Sequence, residues 1–321
     1  MAVERIPIID REQWLARRKS DITASVVGAA FGCHSYVSPL RLYVEKQGLV
    51  DLPGIDGTVL RRGRIMEPAI PGAVLEQRPD SGWRIEKCTD YFSDPQFGIG
   101  ATPDFFIHGD PRGLGALQGK TTLPHIYDRD WQTDEHGTIT PPRWITLQLA
   151  TEMMLTDAAF GVVACLVMDP YDLPCVIVEQ TRDTALEKQI CEQVVAFWQR
   201  IQDGDEPDAD FGLDRSLLAQ ILPKETPDLT IDLTCDNEVI DGLIERQNLK
   251  AEIKKNEERC KKIETMVMSR MKLAAYALVP DFTVTWKQRP RKEYVVPAST
   301  PRVLDIRAKK ERGSGPQESA A

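Results

Sequence analysis

Residues 159–168, carrying Phe-Gly-Val-Val-Ala-Cys-Leu-Val-Met, form an almost continuous apolar run. A strand covered on both faces needs such a run, because neither set of alternating side chains meets water. Its neighbours supply the covers. Residues 143–156 read as a helix, 174–181 as a partner strand and 183–202 as a second helix. The second helix puts Ile190, Val194, Phe197, Trp198 and Ile201 on one stripe.

Upstream, Gly98 to Lys120 reads as two strands of a hairpin. The first runs Gly-Ile-Gly-Ala-Thr-Pro-Asp104-Phe-Phe-Ile-His, and the second Leu-Gly-Ala-Leu-Gln118-Gly-Lys120. Strand side chains alternate, so Gln118 and Lys120 share a face. If the strands pair, Asp104 lies beside them. Phosphodiester hydrolysis uses hard carboxylate oxygens to hold Mg²⁺ or Mn²⁺, and a lysine to orient water or neutralise phosphate. The layout is that of a metal-dependent nuclease site, with an amide where a second acid is expected.

Composition sets the limits. The chain has 321 residues, 42% hydrophobic and 28% charged, as a soluble globular protein with a sizeable core has. No run of 18 apolar residues suggests a membrane span, and the N-terminus does not read as a signal peptide. Seven scattered cysteines without a CxxC point to reduced thiols and away from a zinc ribbon or iron–sulfur cluster. The net charge of −9 argues against a wholly basic surface but allows a basic groove. Candidate basic runs are Arg17-Arg18-Lys19, Arg61-Arg62-Gly-Arg64 and the stretch from Lys287 to Arg312; each is also explained as a solvated face.

Along the rest of the chain, residues 10–31 read as two helices joined by a hydroxyl-rich turn containing Thr23 and Ser25. The second helix start, beside Arg18, suits either a phosphate or simple capping. Residues 39–49 and 59–77 read as helices, the latter kinked where Pro68 follows Glu67. Residues 83–92, 97–107 and 114–121 read as strands, and 122–142 as a long polar loop. His125, Tyr127 and Trp131 in that loop suit a DNA contact or a subunit contact equally. Further on, 229–234 reads as a strand, 236–277 as an amphipathic helix or helical hairpin and 282–288 as a strand.

These features together resemble the phage-lambda exonuclease/YqaJ-type viral recombinase family, within the PD-(D/E)XK nuclease superfamily. The residues that carry the resemblance are Ile22-Thr-Ala-Ser25, Gly63-x3-Glu67-Pro, Ala101-Thr-Pro-Asp104, Leu117-Gln118-Gly-Lys120-Thr-Thr and Gln148. It covers residues 10–205 well and continues loosely to Val284-Thr-Trp-Lys287. The resemblance implies an α/β, restriction-endonuclease-like core, a central mixed sheet flanked by helices, over residues 1–212. A helical and strand extension over 213–308 and a disordered tail over 309–321 would follow.

It also implies an Mg²⁺- or Mn²⁺-dependent exonuclease that degrades linear double-stranded DNA from 5′ to 3′. The 3′ single strand is then handed to an annealing partner. A homo-oligomer, in some relatives a ring, and a cytoplasmic location in a bacterial or phage-infected cell go with it. By resemblance Asp104, Gln118 and Glu67 stand at metal positions, Lys120 at the catalytic lysine and Gln148 at a polar site-lining position. Arg18 and Ser25 stand where the 5′ phosphate is held.

An amide oxygen can ligate Mg²⁺ but brings no charge. The sequence leaves three readings open: an engineered Glu→Gln variant, a natural attenuated enzyme, or compensation by another acid such as Glu67 or Glu86. A fourth stands apart from them, a DNA-end-binding or scaffold protein that keeps the fold without the catalysis.

Overall fold

The computed structural model describes residues 3–48, 57–290 and 302–307. The expected tail, 309–321, and most of the basic stretch Lys287–Arg312 lie outside the described residues. The chain divides into two compact units, Met1–Leu222 and Pro223–Ala321. The division falls after Leu222 and not at 212, because helix Arg215–Ile221 carries Leu217 into the first unit's core at 1% exposure.

The first unit opens with strand β1 (Glu4–Pro7) and helix α1 (Arg11–Ser20). Asp10 caps α1 by accepting the Gln13 N–H. The turn expected within 10–31 is a two-residue strand, β2 (Ile22–Thr23), leading into α2 (Ala24–Ala30). Next comes α3 (Pro39–Gln47), capped by Ser38 and ended by Gly48 at φ 66. The expected kink separates α4 (Gly57–Met66) from α5 (Ile70–Gln77) by a 3-10 turn at Glu67–Ala69. Pro68 and Pro71 remove donors that a continuous helix would need.

Two expected strands are each split. Residues 83–92 become β3 (Arg84–Lys87) and β4 (Asp90–Asp94); 97–107 become β5 (Ile99–Ala101) and β6 (Phe105–His108). Pro103 has no N–H for a ladder, so the chain leaves one sheet there and joins the other. After β7 (Gly115–Thr122), the expected loop 122–142 contains helix α6 (Pro124–Asp130) and hairpin β8 (Gln132–Thr133)–β9 (Ile139–Thr140). Asp134 forms the hairpin turn by accepting the His136 and Thr138 N–H groups. Trp131 is a core residue at 8% exposure, stacked on Tyr127 at 5.3 Å, and not an exposed contact.

Helix α7 (Arg143–Thr156), strands β10 (Phe160–Val167) and β11 (Cys175–Thr181), and helices α8 (Thr184–Asp203) and α9 (Arg215–Ile221) complete the unit. Its sheets have strand orders β1-β4-β5-β2 and β11-β10-β7-β6-β3. The second sheet is mixed: β7 and β10 are parallel, Phe160 facing Gly115 through Val167 facing Thr122, while its other pairs are antiparallel. Every residue of β10 is buried, as its apolar run requires. The first unit is therefore the expected α/β core, a mixed sheet flanked by helices.

In the second unit, helix α10 (Asn237–Met271) is followed by a hairpin of β12 (Tyr276–Val279) and β13 (Phe282–Thr285). The helix expected to reach 277 stops early because Lys272 turns to φ 50, and the alternating Tyr-Ala-Leu-Val then pairs as a strand. Residues 229–234, expected as a strand, are irregular. No described helix is long and apolar enough to cross a membrane.

Candidate active site

The β6–β7 register sets Phe105 opposite Leu117. Asp104, one residue before β6, therefore falls beside Gln118. Gln118 Nε2 donates to Asp104 Oδ2 at 2.6 Å and to the Gly119 carbonyl at 3.2 Å. The Gly119 N–H donates to the same Asp104 oxygen at 2.9 Å. Two residues along, Lys120 Nζ donates to Gln148 Oε1 at 2.8 Å. Gln148 sits on α7, which packs on β7. Its amide nitrogen donates to Glu152 Oε1, one helical turn on, at 2.9 Å.

Glu67, in the 3-10 turn, accepts from the Lys87 ammonium, which also lies 4.8 Å over the Phe105 ring. Burial raises the Asp104 carboxyl; Lys120 lowers it and the nearby charge of Glu67 raises it further. Burial likewise lowers Lys120, against the pull of Asp104 and Glu152. Of the acids considered from sequence, Glu86 has a largely exposed side chain and pairs with His108.

Glu152 is the acid that sequence reasoning missed. It is 1% exposed, and its second carboxylate oxygen is buried with no partner among the described residues. The available signal was its place four residues after Gln148, just before Met153, Met154 and Leu155. Burial, and then the Asp104 charge, push its carboxyl up to about 8. The folded chain thus holds a proton that the unfolded chain releases near the usual glutamate value of about 4.3. Stability should fall as pH rises through that window and level off above it. Glu152→Gln keeps an acceptor for Gln148 and should make this fall shallower, leaving the part that the raised Asp104 contributes. Urea melts from about pH 5 to pH 8 check it; equal slopes in parent and variant would refute the assignment.

A second cluster lies where α1 meets α2. Arg18 Nη2 donates to Ser25 Oγ at 2.9 Å, and Thr23 Oγ1 lies 3.1 Å from that hydroxyl. The Arg18 guanidinium lies 4.4 Å over the Trp14 ring. Lys46 Nζ donates to the Arg18 carbonyl at 2.7 Å. Burial lowers Arg18, and it brings Lys46 down to about 8. Among the described residues Arg18 forms no salt bridge. Thr23 occupies the N-cap of α2 without making a side-chain capping bond. Its hydroxyl is turned toward Ser25 instead. Beneath, Asp21 Oδ2 accepts from Tyr91 Oη and Ser93 Oγ, each at 2.8 Å, which anchors the start of β2. Lys46 had no distinguishing mark in the sequence.

The oxygens around residue 118 can be tested for a cation. Asp104 Oδ2 and the Gly119 carbonyl converge on one point, and the Gln118 NH₂ group occupies it. Gln118 Oε1, meanwhile, is buried with no partner among the described residues. Turning the amide over would place a third oxygen with the other two, an arrangement that a hard cation would satisfy. The shape fits such an ion, but the charge falls short by one carboxylate. No group of three or more His, Cys, Asp or Glu side chains suited to a metal occurs among the described residues.

The family model of the YqaJ-like viral recombinase domain matches residues 13–159. A search of curated proteins finds no match. Among solved structures, the chain is similar to an alkaline exonuclease, LHK-Exo, from Laribacter hongkongensis. The identity is 22% and the TM-score 0.47, over 60% of this chain and 94% of that chain. A phage-related exonuclease from Haemophilus somnus 129PT is similar at 13% identity and TM-score 0.39, over 58% and 95%. The family match runs from within α1 to the residue before β10 and encloses Arg18, Ser25, Glu67, Asp104, Gln118, Lys120 and Gln148. Over residues 13–159 the chain is similar to the YqaJ-like viral recombinase domain.

Proposed function

We propose that this chain has the framework of a metal-dependent exonuclease acting 5′ to 3′ on linear double-stranded DNA, weakened at residue 118. The 3′ single strand it leaves would serve recombination by strand annealing. One observation carries the reading: Asp104 and residue 118 meet across β6 and β7, and Lys120 emerges from the same strand face onto Gln148.

Asp104, the residue-118 side chain and the Gly119 carbonyl would hold Mg²⁺ or Mn²⁺, with Glu67 as a further acid. When bound, such an ion supplies positive charge at the scissile phosphate and acidifies water. Lys120, half-buried and held by Gln148, presents its ammonium where charge develops on that phosphate. Arg18, Ser25 and Lys46 hold the terminal 5′ phosphate. The Arg18 guanidinium is partly desolvated and has no carboxylate partner among the described residues, so an anion would complete it. A single-strand annealing protein as partner, assembly into a homo-oligomer or ring, and action in the cytoplasm of a bacterial or phage-infected cell belong to the same reading.

One observation favours a second reading, a non-catalytic DNA-end-binding protein. The Gln118 amide closes the metal position by itself, leaving Asp104 satisfied without an ion. The readings separate when linear duplex is incubated with Mg²⁺ or Mn²⁺ and either this chain or its Gln118→Glu variant. The enzyme reading expects the variant to consume the 5′-ended strands and leave 3′ single strands, with covalently closed circles intact. Intact linear duplex with both proteins would refute it.

A further inference from the structure

We infer that Trp144, His34 and Tyr36 form an aromatic floor for the base and sugar of the 5′-terminal nucleotide, between its two flanking phosphate positions. The inference rests on the nuclease reading above. The His34 and Trp144 rings lie tilted with centroids 4.5 Å apart. Tyr36 stands edge-on to Trp144 at 6.2 Å and to His34 at 6.1 Å. The cluster is not sealed in the core: His34 and Trp144 are half-buried and Tyr36 is 49% exposed.

This cluster joins the two parts of the site. At one end, Lys120 Nζ lies 5.0 Å over the Trp144 ring. At the other, His34 Nε2 is 3.1 Å from the Ser25 carbonyl, and Ser25 is the residue whose hydroxyl holds Arg18. In a nucleic acid strand, two successive phosphates flank one nucleoside. If Lys120 serves the scissile phosphate and Arg18 with Ser25 the terminal one, the nucleoside between them is the one to be released. The surface between those points is this aromatic cluster.

Its chemistry suits a base of any identity. His34 Nδ1 accepts the Tyr36 and Val37 N–H groups at 3.1 Å each, which leaves the proton on Nε2 and the ring neutral. Burial lowers the His34 pKa to about 4, so the ring stays uncharged over the working range. Flat neutral rings stack on every base and select none by hydrogen bonding. The floor is also built closely. A Cβ on Gly28 of α2 would fall 2.6 Å from Trp144 Cβ, so the backbones of α2 and α7 approach there as only glycine allows. Among the described residues the buried Trp144 indole N–H has no acceptor, although a core tryptophan normally pairs that group.

The test is equilibrium binding by fluorescence anisotropy, with chelator present and no divalent metal. The probes are labelled duplexes with a 5′ phosphate whose terminal 5′ nucleotide is either normal or abasic, and the same normal duplex with a 5′ hydroxyl. This chain should bind the normal end about tenfold more tightly than the abasic one. Trp144→Leu and Tyr36→Ala should lose most of that ratio. Trp144→Phe, which keeps a ring and removes the orphaned N–H, should retain it. The ratio for 5′ phosphate over 5′ hydroxyl should persist in all three. Equal affinity of this chain for normal and abasic ends, with the phosphate preference intact, would overturn the floor while sparing the end-binding reading. The same holds if Trp144→Phe loses the ratio as fully as Trp144→Leu. Absence of both preferences would overturn the two together.

Discussion

Gln118→Glu should bind Mn²⁺ and Mg²⁺ on the order of a hundred- to a thousandfold more tightly than the parent chain, as read by titration calorimetry. Two unit charges about 4 Å apart interact by roughly 4 kcal/mol at an effective dielectric near 20, which is close to a thousandfold in affinity. Part of that gain has an origin in the metal-free protein. There the Gln118 amide donates to Asp104 and to the Gly119 carbonyl, and both bonds must break before an ion can enter. A carboxylate at 118 has no donor to offer, so the metal-free variant faces Asp104 with a like charge in a buried place. It should melt below the parent without metal, by about 1–3 kcal/mol, and regain stability as Mn²⁺ is added. Nuclease activity should appear with the same metal dependence. A variant whose melting temperature ignores Mn²⁺, and whose affinity for it matches the parent's, would show that the β6–β7 pair does not hold the ion.

The parts of this site that were legible in the sequence lie on strands. Alternation alone puts Gln118 and Lys120 on one face, and a hairpin of this length brings Asp104 alongside. The apolar run of β10 shows its double burial directly. Where one local pattern had to be divided between two sheets, reading failed. Residues 83–92 look like one strand, yet Lys87 pairs with Phe105 in one sheet while Asp90 pairs with Pro7 in the other. Nothing local marks such a change, because it depends on which partner edges the fold offers. Pro103 was the one visible sign, and it marks only the second break.

Helix α7 shows the same limit for chemistry. Gln148 was placed by family likeness, whereas Glu152 looked like one more helical glutamate. Its importance depends on burial of the whole face from Leu147 to Leu155, and that follows from packing against β7 and β10. The helix in 122–142 was hidden by its charged residues, although Trp131 packs inward and Pro124 begins it at a position where the missing N–H costs nothing. Lys46 is a similar case: a lysine at a helix end is ordinarily solvated, and only the approach of α3 to α1 turns it toward the Arg18 carbonyl.

The second large effect is expected at Arg18. Arg18→Met should lose roughly 10- to 100-fold in preference for a 5′-phosphorylated end over a 5′-hydroxyl end, because a charge-assisted hydrogen bond contributes about 1.5–3 kcal/mol. The same variant should melt no lower than the parent, and higher if desolvation dominates. Burying a guanidinium without a carboxylate partner opposes folding, and apolar replacement of buried ions is often neutral or stabilising by about 1–4 kcal/mol. Methionine keeps contact with the Trp14 ring through its thioether, and Ser25 keeps Thr23 as a partner. Opposite signs for stability and end recognition distinguish a ligand-holding arginine from a structural one, which would lose both. Binding isotherms over a salt series add an independent measure: the slope of log affinity against log salt should fall by about one with the 5′-phosphate duplex. A variant that melts several kcal/mol lower, or discriminates between the two ends as the parent does, would remove Arg18 from the phosphate pocket.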